Sequence, residues 1–152
     1  MKTYPATRFS CLVDDIRVAK DCAAQALEHH VELDVWIDIN VGMNRTGVNP
    51  GDSFVALVQS VVRSQTLRLI GLHIYDGHLI AYPPAQRQLE LERINSVIKV
   101  QLQLANIEAG KMKVIAGGSA SLPFYAAYTD YEWSPGTCIL WDNGYRSKVP
   151  GL

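Results

Sequence analysis

The chain has 152 residues, 48% of them hydrophobic and 19% charged, with a formal net charge of -1. That balance describes one folded unit able to bury a sizeable core, and it excludes a disordered or low-complexity chain. Near-neutral charge supplies no field for nucleic acid or anionic lipid, and no apolar stretch is long enough to span a bilayer, so neither partner is expected. No signal peptide is expected either, and Met1 to Pro5 reads as a start imposed on a longer protein. Cys11, Cys22 and Cys138 are odd in number and form no Cys-x-x-Cys pair. They fit neither a zinc ribbon nor a disulfide framework, and the expectation is reduced, buried thiols in a cytoplasmic protein.

Arg8 to Val13 has strand composition and runs into Asp14-Asp15, a helix cap. The following helix carries Ile16, Ala19, Ala23 and Leu27 on one face. Val35 to Val41 is a second strand, followed by a polar loop through Pro50-Gly51. Asp52 then caps a helix with Phe54, Val58, Val61 and Val62 on its apolar face. A third strand covers about Leu67 to Tyr75. The stretch from Asp76 to Pro84 is a loop, and Pro83-Pro84 opens a long helix with Leu91, Ile94, Ile98 and Leu102 in one stripe, ended by Gly110. His29-His30 reads as a plain helix end. Met112 to Ala116 is a fourth strand running into Gly117-Gly118-Ser119. After a short helical stretch from Leu122 to Tyr128, a fifth strand begins around Glu132-Trp133 and resumes at Thr137 to Trp141.

Strands alternating with helices of this length imply right-handed crossovers and a parallel sheet. A doubly wound sheet and a (β/α)8 barrel both satisfy the order, but strand parity favours the barrel. In the second strand Val35, Ile37, Ile39 and Val41 form an apolar face opposite Trp36, Asp38, Asn40 and Gly42. In the third, Ile70, Leu72 and Ile74 oppose Gly71, His73 and Tyr75. A doubly wound sheet is covered on both faces and should be apolar on both. Here one face turns polar toward the C-terminal strand ends, where barrel enzymes keep their sites. Five strands cannot close a barrel of eight, so the remaining strands are expected mostly upstream.

The candidate chemistry lies at those strand ends. Gly117-Gly118-Ser119 reads either as a phosphate cradle of backbone N–H groups and a hydroxyl, or as a glycine turn that only ends a strand. Its place one strand before the last resembles the loop where barrel phosphate sites sit. Arg45, inside Gly42-Met43-Asn44-Arg45-Thr46-Gly47, can fold over the barrel mouth as a permanently charged fork, or remain a solvated loop residue. His73 and Tyr75 point into the lumen, where they can lie against a flat ring or serve as hydrogen-bonded core residues. His73 and His78 lack the spacing of a zinc helix.

These segments, in order, resemble a known family: Val41-Gly42-Met43-Asn44-Arg45-Thr46-Gly47-Val48, Gly71-Leu72-His73-Ile74-Tyr75-Asp76-Gly77-His78, Gly117-Gly118-Ser119-Ala120-Ser121 and Ser134-Pro135-Gly136-Thr137. Together they look like the alanine racemase N-terminal barrel as found in fold-type III pyridoxal-phosphate enzymes of the D-threonine aldolase and D-serine dehydratase type. The resemblance runs over nearly the whole chain and implies an α/β fold, a partial (β/α)8 TIM-type barrel comprising about strands 4 to 8. Residues 1–140 would belong to the barrel, and 141–152 would begin the connection to a C-terminal β domain.

By this resemblance Arg45 would hydrogen-bond the phenolic oxygen of pyridoxal 5′-phosphate or its neighbourhood, and His73 and Tyr75 would line its ring. Gly117, Gly118 and Ser119 would hold the phosphate, with backbone help near Gly136 and Thr137. The implied reaction is aldol cleavage or dehydration of a D-amino or 3-hydroxy amino acid. No catalytic residue is expected in this chain. The family's Schiff-base lysine lies on the first barrel strand, and Lys2, Lys20, Lys99, Lys111, Lys113 and Lys148 do not match it. These residues alone are therefore expected to be inactive. The resemblance also implies a divalent metal held by the second domain and a homodimer.

Competing readings are an amino-acid racemase, a non-catalytic pyridoxal-phosphate carrier on the same barrel, and a metal-dependent barrel hydrolase or isomerase using Asp38, His73 and His78. The last leaves the glycine pair unexplained.

Overall fold

The computed structural model describes residues 1, 3–125 and 131–136. Strand β1 (Ser10–Val13) leads into helix α1 (Ile16–Glu28), strand β2 (Leu33–Ile39), helix α2 (Asp52–Val62) and strand β3 (Leu67–Ile74). Helix α3 (Pro84–Leu104), strand β4 (Lys113–Ala116), the single turn of α4 (Leu122–Tyr125) and strand β5 (Tyr131–Trp133) complete the described elements. Short 3-10 turns at Gly77–Ala81, Ala109–Lys111 and Ser119–Ser121 fill the loops.

All neighbouring strands pair in parallel, in the order β1-β2-β3-β4-β5. This order decides between the two architectures compatible with the sequence. A doubly wound sheet reverses direction at a switch point, whereas a barrel adds each strand beside the last. The fold is thus a partial TIM-type barrel. Its helix-facing layer is the core: Val35, Ile37 and Ile39 from β2 and Leu72 and Ile74 from β3 are all at most 1% exposed. They pack with Phe54, Leu57, Val58 and Val61 of α2 and Leu91, Ile94, Ile98 and Leu102 of α3. The expected stripe of α3 is buried residue for residue.

Several expectations need correction. On α1 the buried positions are Ala19 and Ala26, while Leu27 is 61% exposed. At 100° per residue, Leu27 has turned off the face that Ala26 still holds. On α2, Val62 faces solvent and Leu57 takes the core place. The N-cap of α2 is Gly51, with Asp52 the first helical residue. Helix α3 ends at Leu104, before Gly110, which sits in a separate 3-10 turn. Asp15, by contrast, caps α1 as expected, its carboxylate accepting from Arg17 N–H at 2.7 Å.

The third strand departs from simple alternation. Its register against β2 slips between Val35 and Trp36, so that Val35 pairs with Leu69 but Trp36 with Gly71. Ile70 is the extra residue. It joins Trp36, Asp34 and Lys113 on the inner side instead of the helix-facing layer expected for it. Cys11 and Cys22 are free thiols as expected, but only half-buried. Burial, and next the neighbouring Cys22, push the Cys11 thiol above its ordinary value. Cys138, the strand resumption at Thr137 to Trp141 and the connection over 141–152 lie outside the described residues. No helix among the described residues is long and apolar enough to cross a membrane.

Candidate functional site

Because the strands are parallel and in register, their C-terminal ends share one rim. Asp38 of β2 pairs with His73 of β3, His73 with Ile115 of β4, and Ile115 with Glu132 of β5. The segments that follow, at 40–49, 75–82, 117–121 and 134–136, therefore leave the sheet on the same side.

Tyr75 stands at the middle of this rim. The Arg45 guanidinium carbon lies 4.3 Å from the centroid of its ring. On the β4 side, a Cβ built on Gly117 would stand 3.1 Å from Tyr75 Cδ2 and 3.5 Å from Ser134 Oγ. One aromatic side chain thus touches both the arginine loop and the first glycine of the double-glycine turn. Ser134, whose N–H donates to Ala116 O at 2.9 Å, brings the start of the Ser-Pro-Gly segment to the same place. Gly136 has no neighbour within 4 Å of a built Cβ among the described residues.

His73, two residues before Tyr75, is held from the β2 side. Its Nδ1 lies 2.6 Å from Oδ1 of the buried Asp38. An ionised carboxylate only accepts hydrogen bonds, so the ring proton belongs on Nδ1 and Nε2 is left as the second functional atom.

The double-glycine turn has a divided role. Gly117 N–H donates to Ile74 O at 3.0 Å and so is spent within the protein. The N–H groups of Gly118 and Ser119 have no acceptor among the described residues. Gly118 has no room for a side chain, because a Cβ there would overlap Asp76 Oδ1. Asp76 is fully buried. Its Oδ2 accepts from Tyr125 O–H at 2.7 Å, while Oδ1 has no hydrogen-bond partner among the described residues. Ser119 is 2% exposed and starts the 3-10 turn that leads into α4.

Behind this turn lies Arg87 of α3, 5% exposed. Its Nε donates to Leu79 O and Tyr82 O at 3.0 and 2.8 Å, its second terminal nitrogen to Ile80 O at 3.3 Å, and the first to Ala120 O at 3.5 Å. A buried guanidinium thereby ties the segment after β3 to the segment after β4. His78 points elsewhere. Its ring packs on Gly42, where a Cβ would come within 2.9 Å, and edge-on to Tyr82 at 6.4 Å. Burial pushes its imidazole below the ordinary value, against an opposing pull from Asp76. Among the described residues no group of three or more His, Cys, Asp or Glu could hold a metal ion, and Asp38, His73 and His78 form none.

At this one rim the chain offers N–H groups at Gly118 and Ser119, a flat surface at the Tyr75 ring and a cation at Arg45, the donor types that a phosphorylated aromatic ring would need. Of the residues singled out in the sequence, Arg45 lies in the loop after β2, His73 on β3, Tyr75 just past its end, and Gly117, Gly118 and Ser119 in the turn after β4. Sequence reasoning missed the work of Asp76, Tyr125 and Arg87, whose partners are 49 residues away for Asp76 with Tyr125 and 33 for Arg87 with Ala120. Asp38 carried a readable signal, a carboxylate on the polar face of a buried strand, which is costly unless partnered.

Residues 1–142 match the model of the alanine racemase N-terminal domain. The chain is 30% identical to a D-threonine aldolase of Filomicrobium marinum of known structure, with a TM-score of 0.83 over 96% of this chain and 40% of that one. It is 22% identical over 116 residues to a 3-hydroxy-D-aspartate aldolase of Paracoccus denitrificans (strain Pd 1222), covering 74% of this chain and 30% of the relative. A D-threo-3-hydroxyaspartate dehydratase in its metal-free form superposes with a TM-score of 0.70 at 22% identity, over 91% of this chain and 38% of that one. The chain thus spans well under half the length of these relatives. The matched residues and the sequential parallel strand order agree: the chain belongs to the alanine racemase N-terminal domain family.

Proposed function

We propose that this chain is the pyridoxal 5′-phosphate-holding part of a lyase that acts on D-amino or 3-hydroxy amino acids, by aldol cleavage or dehydration. The observation that supports it most is the contact of Tyr75 with both Arg45 and Gly117, which gathers a cation, a flat ring and the double-glycine turn at one barrel rim. The 30% identity to a D-threonine aldolase supports a lyase over a racemase.

When bound, the cofactor supplies an electron sink for the pair left on Cα after a bond there is broken. The residues of this chain bind and orient. The N–H groups of Gly118 and Ser119, which have no acceptor among the described residues, donate to phosphate oxygens, and Gly117 shapes the turn by leaving room for Tyr75. Arg45 donates to the phenolic oxygen, held by its stacking on Tyr75. Asp38 keeps the His73 proton on Nδ1, so that Nε2 can accept a proton or a hydrogen bond at the rim. The covalent attachment is assigned to a lysine on another strand of the barrel. A homodimer and a divalent metal belong to the same reading, and sedimentation and metal analysis of the full-length protein test them.

The decisive experiment supplies the full-length protein with pyridoxal 5′-phosphate and records its visible absorbance, then assays D-threonine, D-3-hydroxyaspartate, D-serine and alanine. Bound-cofactor absorbance with cleavage or dehydration of a hydroxy amino acid is the expected result. A protein that takes up no cofactor ends this reading. Absorbance without turnover marks a non-catalytic carrier, and turnover of alanine alone marks a racemase.

A further inference from the structure

We infer that Asn40 is the positioning residue for Arg45. It builds the arginine loop before any ligand arrives, and this inference rests on the proposed cofactor site. Asn40 follows the last residue of β2, and its side-chain amide uses both ends. Oδ1 accepts from the N–H groups of Gly42 and Asn44, at 3.0 and 3.1 Å. Nδ2 donates to Asn44 Oδ1 at 2.8 Å and to Asn49 Oδ1 at 3.0 Å. The orientation of the amide is fixed by chemistry, since two backbone N–H groups can face only its oxygen.

These bonds hold Asn44 at φ +55, a left-handed conformation that asparagine tolerates better than most residues. Arg45 comes next. The base of the loop is closed separately: Asn40 N–H donates to Val48 O, Val48 N–H to Asp38 O, and Gly47 N–H to Asp14 Oδ2. Arg45 itself is exposed and makes no hydrogen bond among the described residues. Its position over Tyr75 therefore comes from the backbone that Asn40 shapes and from the ring beneath. A loop ordered in advance spares the ligand the entropy of ordering it.

Two measurements on the full-length protein test this. The first needs no cofactor. Trypsin cuts after arginine, and the rate of cleavage at Arg45-Thr46 reports opening of the loop. Asn40→Ala should raise that rate about tenfold. Asn40→Asp keeps both acceptor bonds, and the amides of Asn44 and Asn49 can turn to donate to it, so it should stay within about threefold of wild type. An unchanged rate in Asn40→Ala overturns the inference.

The second is a double-mutant cycle on the affinity for pyridoxal 5′-phosphate. Asn40→Ala should weaken binding about tenfold in wild type but less than about twofold in an Arg45→Ala background. Equal losses in both backgrounds would show that Asn40 is general scaffold, and the inference fails. If wild type itself binds no cofactor, the functional reading falls, and the cleavage rate alone decides whether Asn40 holds the loop.

Discussion

The guanidinium carbon of Arg45 lies 4.3 Å from the centroid of the Tyr75 ring, joining a loop after β2 to the end of β3. The cation rests on the negative face of the ring, and the pair is preorganised while the rest of the arginine stays in solvent. Arg45→Ala should weaken pyridoxal 5′-phosphate binding by roughly tenfold, and Arg45→Lys by less, since lysine keeps the charge but loses the planar fork. Equilibrium dialysis of the full-length protein measures both. Equal affinity in all three proteins would remove Arg45 from the site.

Gly118 and Gly136 make opposite predictions. A methyl group at Gly118 would overlap Asp76 Oδ1, whereas one at Gly136 meets nothing within 4 Å among the described residues. Asp76 is fully buried and cannot swing away into water. Gly118→Ala should destabilise the protein by about 2–4 kcal/mol and also weaken cofactor binding, while Gly136→Ala should stay within about 0.5 kcal/mol. Urea unfolding of the two variants side by side checks this.

Arg87 offers a test of the support beneath the site. It donates to four carbonyls, three after β3 and one in the turn that follows Gly118. Arg87→Met keeps much of the bulk but removes the guanidinium from all four oxygens, of which Leu79 O still accepts from Tyr82 N–H. The cost should be about 2–4 kcal/mol, far above that of replacing exposed Arg17. A loss below about 1 kcal/mol in urea unfolding would show that the carbonyls find other partners.

A pH dependence follows from His78. Burial holds its imidazole below the ordinary value of 6.5, with pulls from Asp76 and Glu90 opposing. The unfolded chain therefore takes up a proton here at higher pH than the folded one. The stabilisation is complete above about pH 6.5 and is lost as pH falls from there toward the lower folded value. Between pH 7.5 and 5.5 the urea midpoint of wild type should fall more than that of His78→Gln. Identical slopes would show that His78 does not contribute.

Much of what gathers at the rim was legible in the sequence because its signals are local. Glycine pairs after a strand, an arginine between glycines and a His-x-Tyr at a strand end are spacings that period-two geometry alone puts on one face. The stripe of α3 was legible for the same reason, since four apolar residues at helical spacing define a face without reference to anything else. Leu27 and Val62 misled because short helices leave a face ambiguous by one position. Which of Ala26 and Leu27 faces inward depends on what the sheet presents.

By itself, then, the sequence determined the alternation of strands and helices, the polar strand ends and the residue types gathered there, because each follows from spacing along one element. Three things were decided only in the tertiary structure. The sequential strand order is one, since pairing between strands is not written in either strand. The slip that turns Ile70 inward is another, because a bulge is a relation between two strands. The last is the buried support of the double-glycine turn by Asp76, Tyr125 and Arg87. Long-range polar contacts form only when the sheet brings distant segments together, and burial then makes each such contact costly to lose.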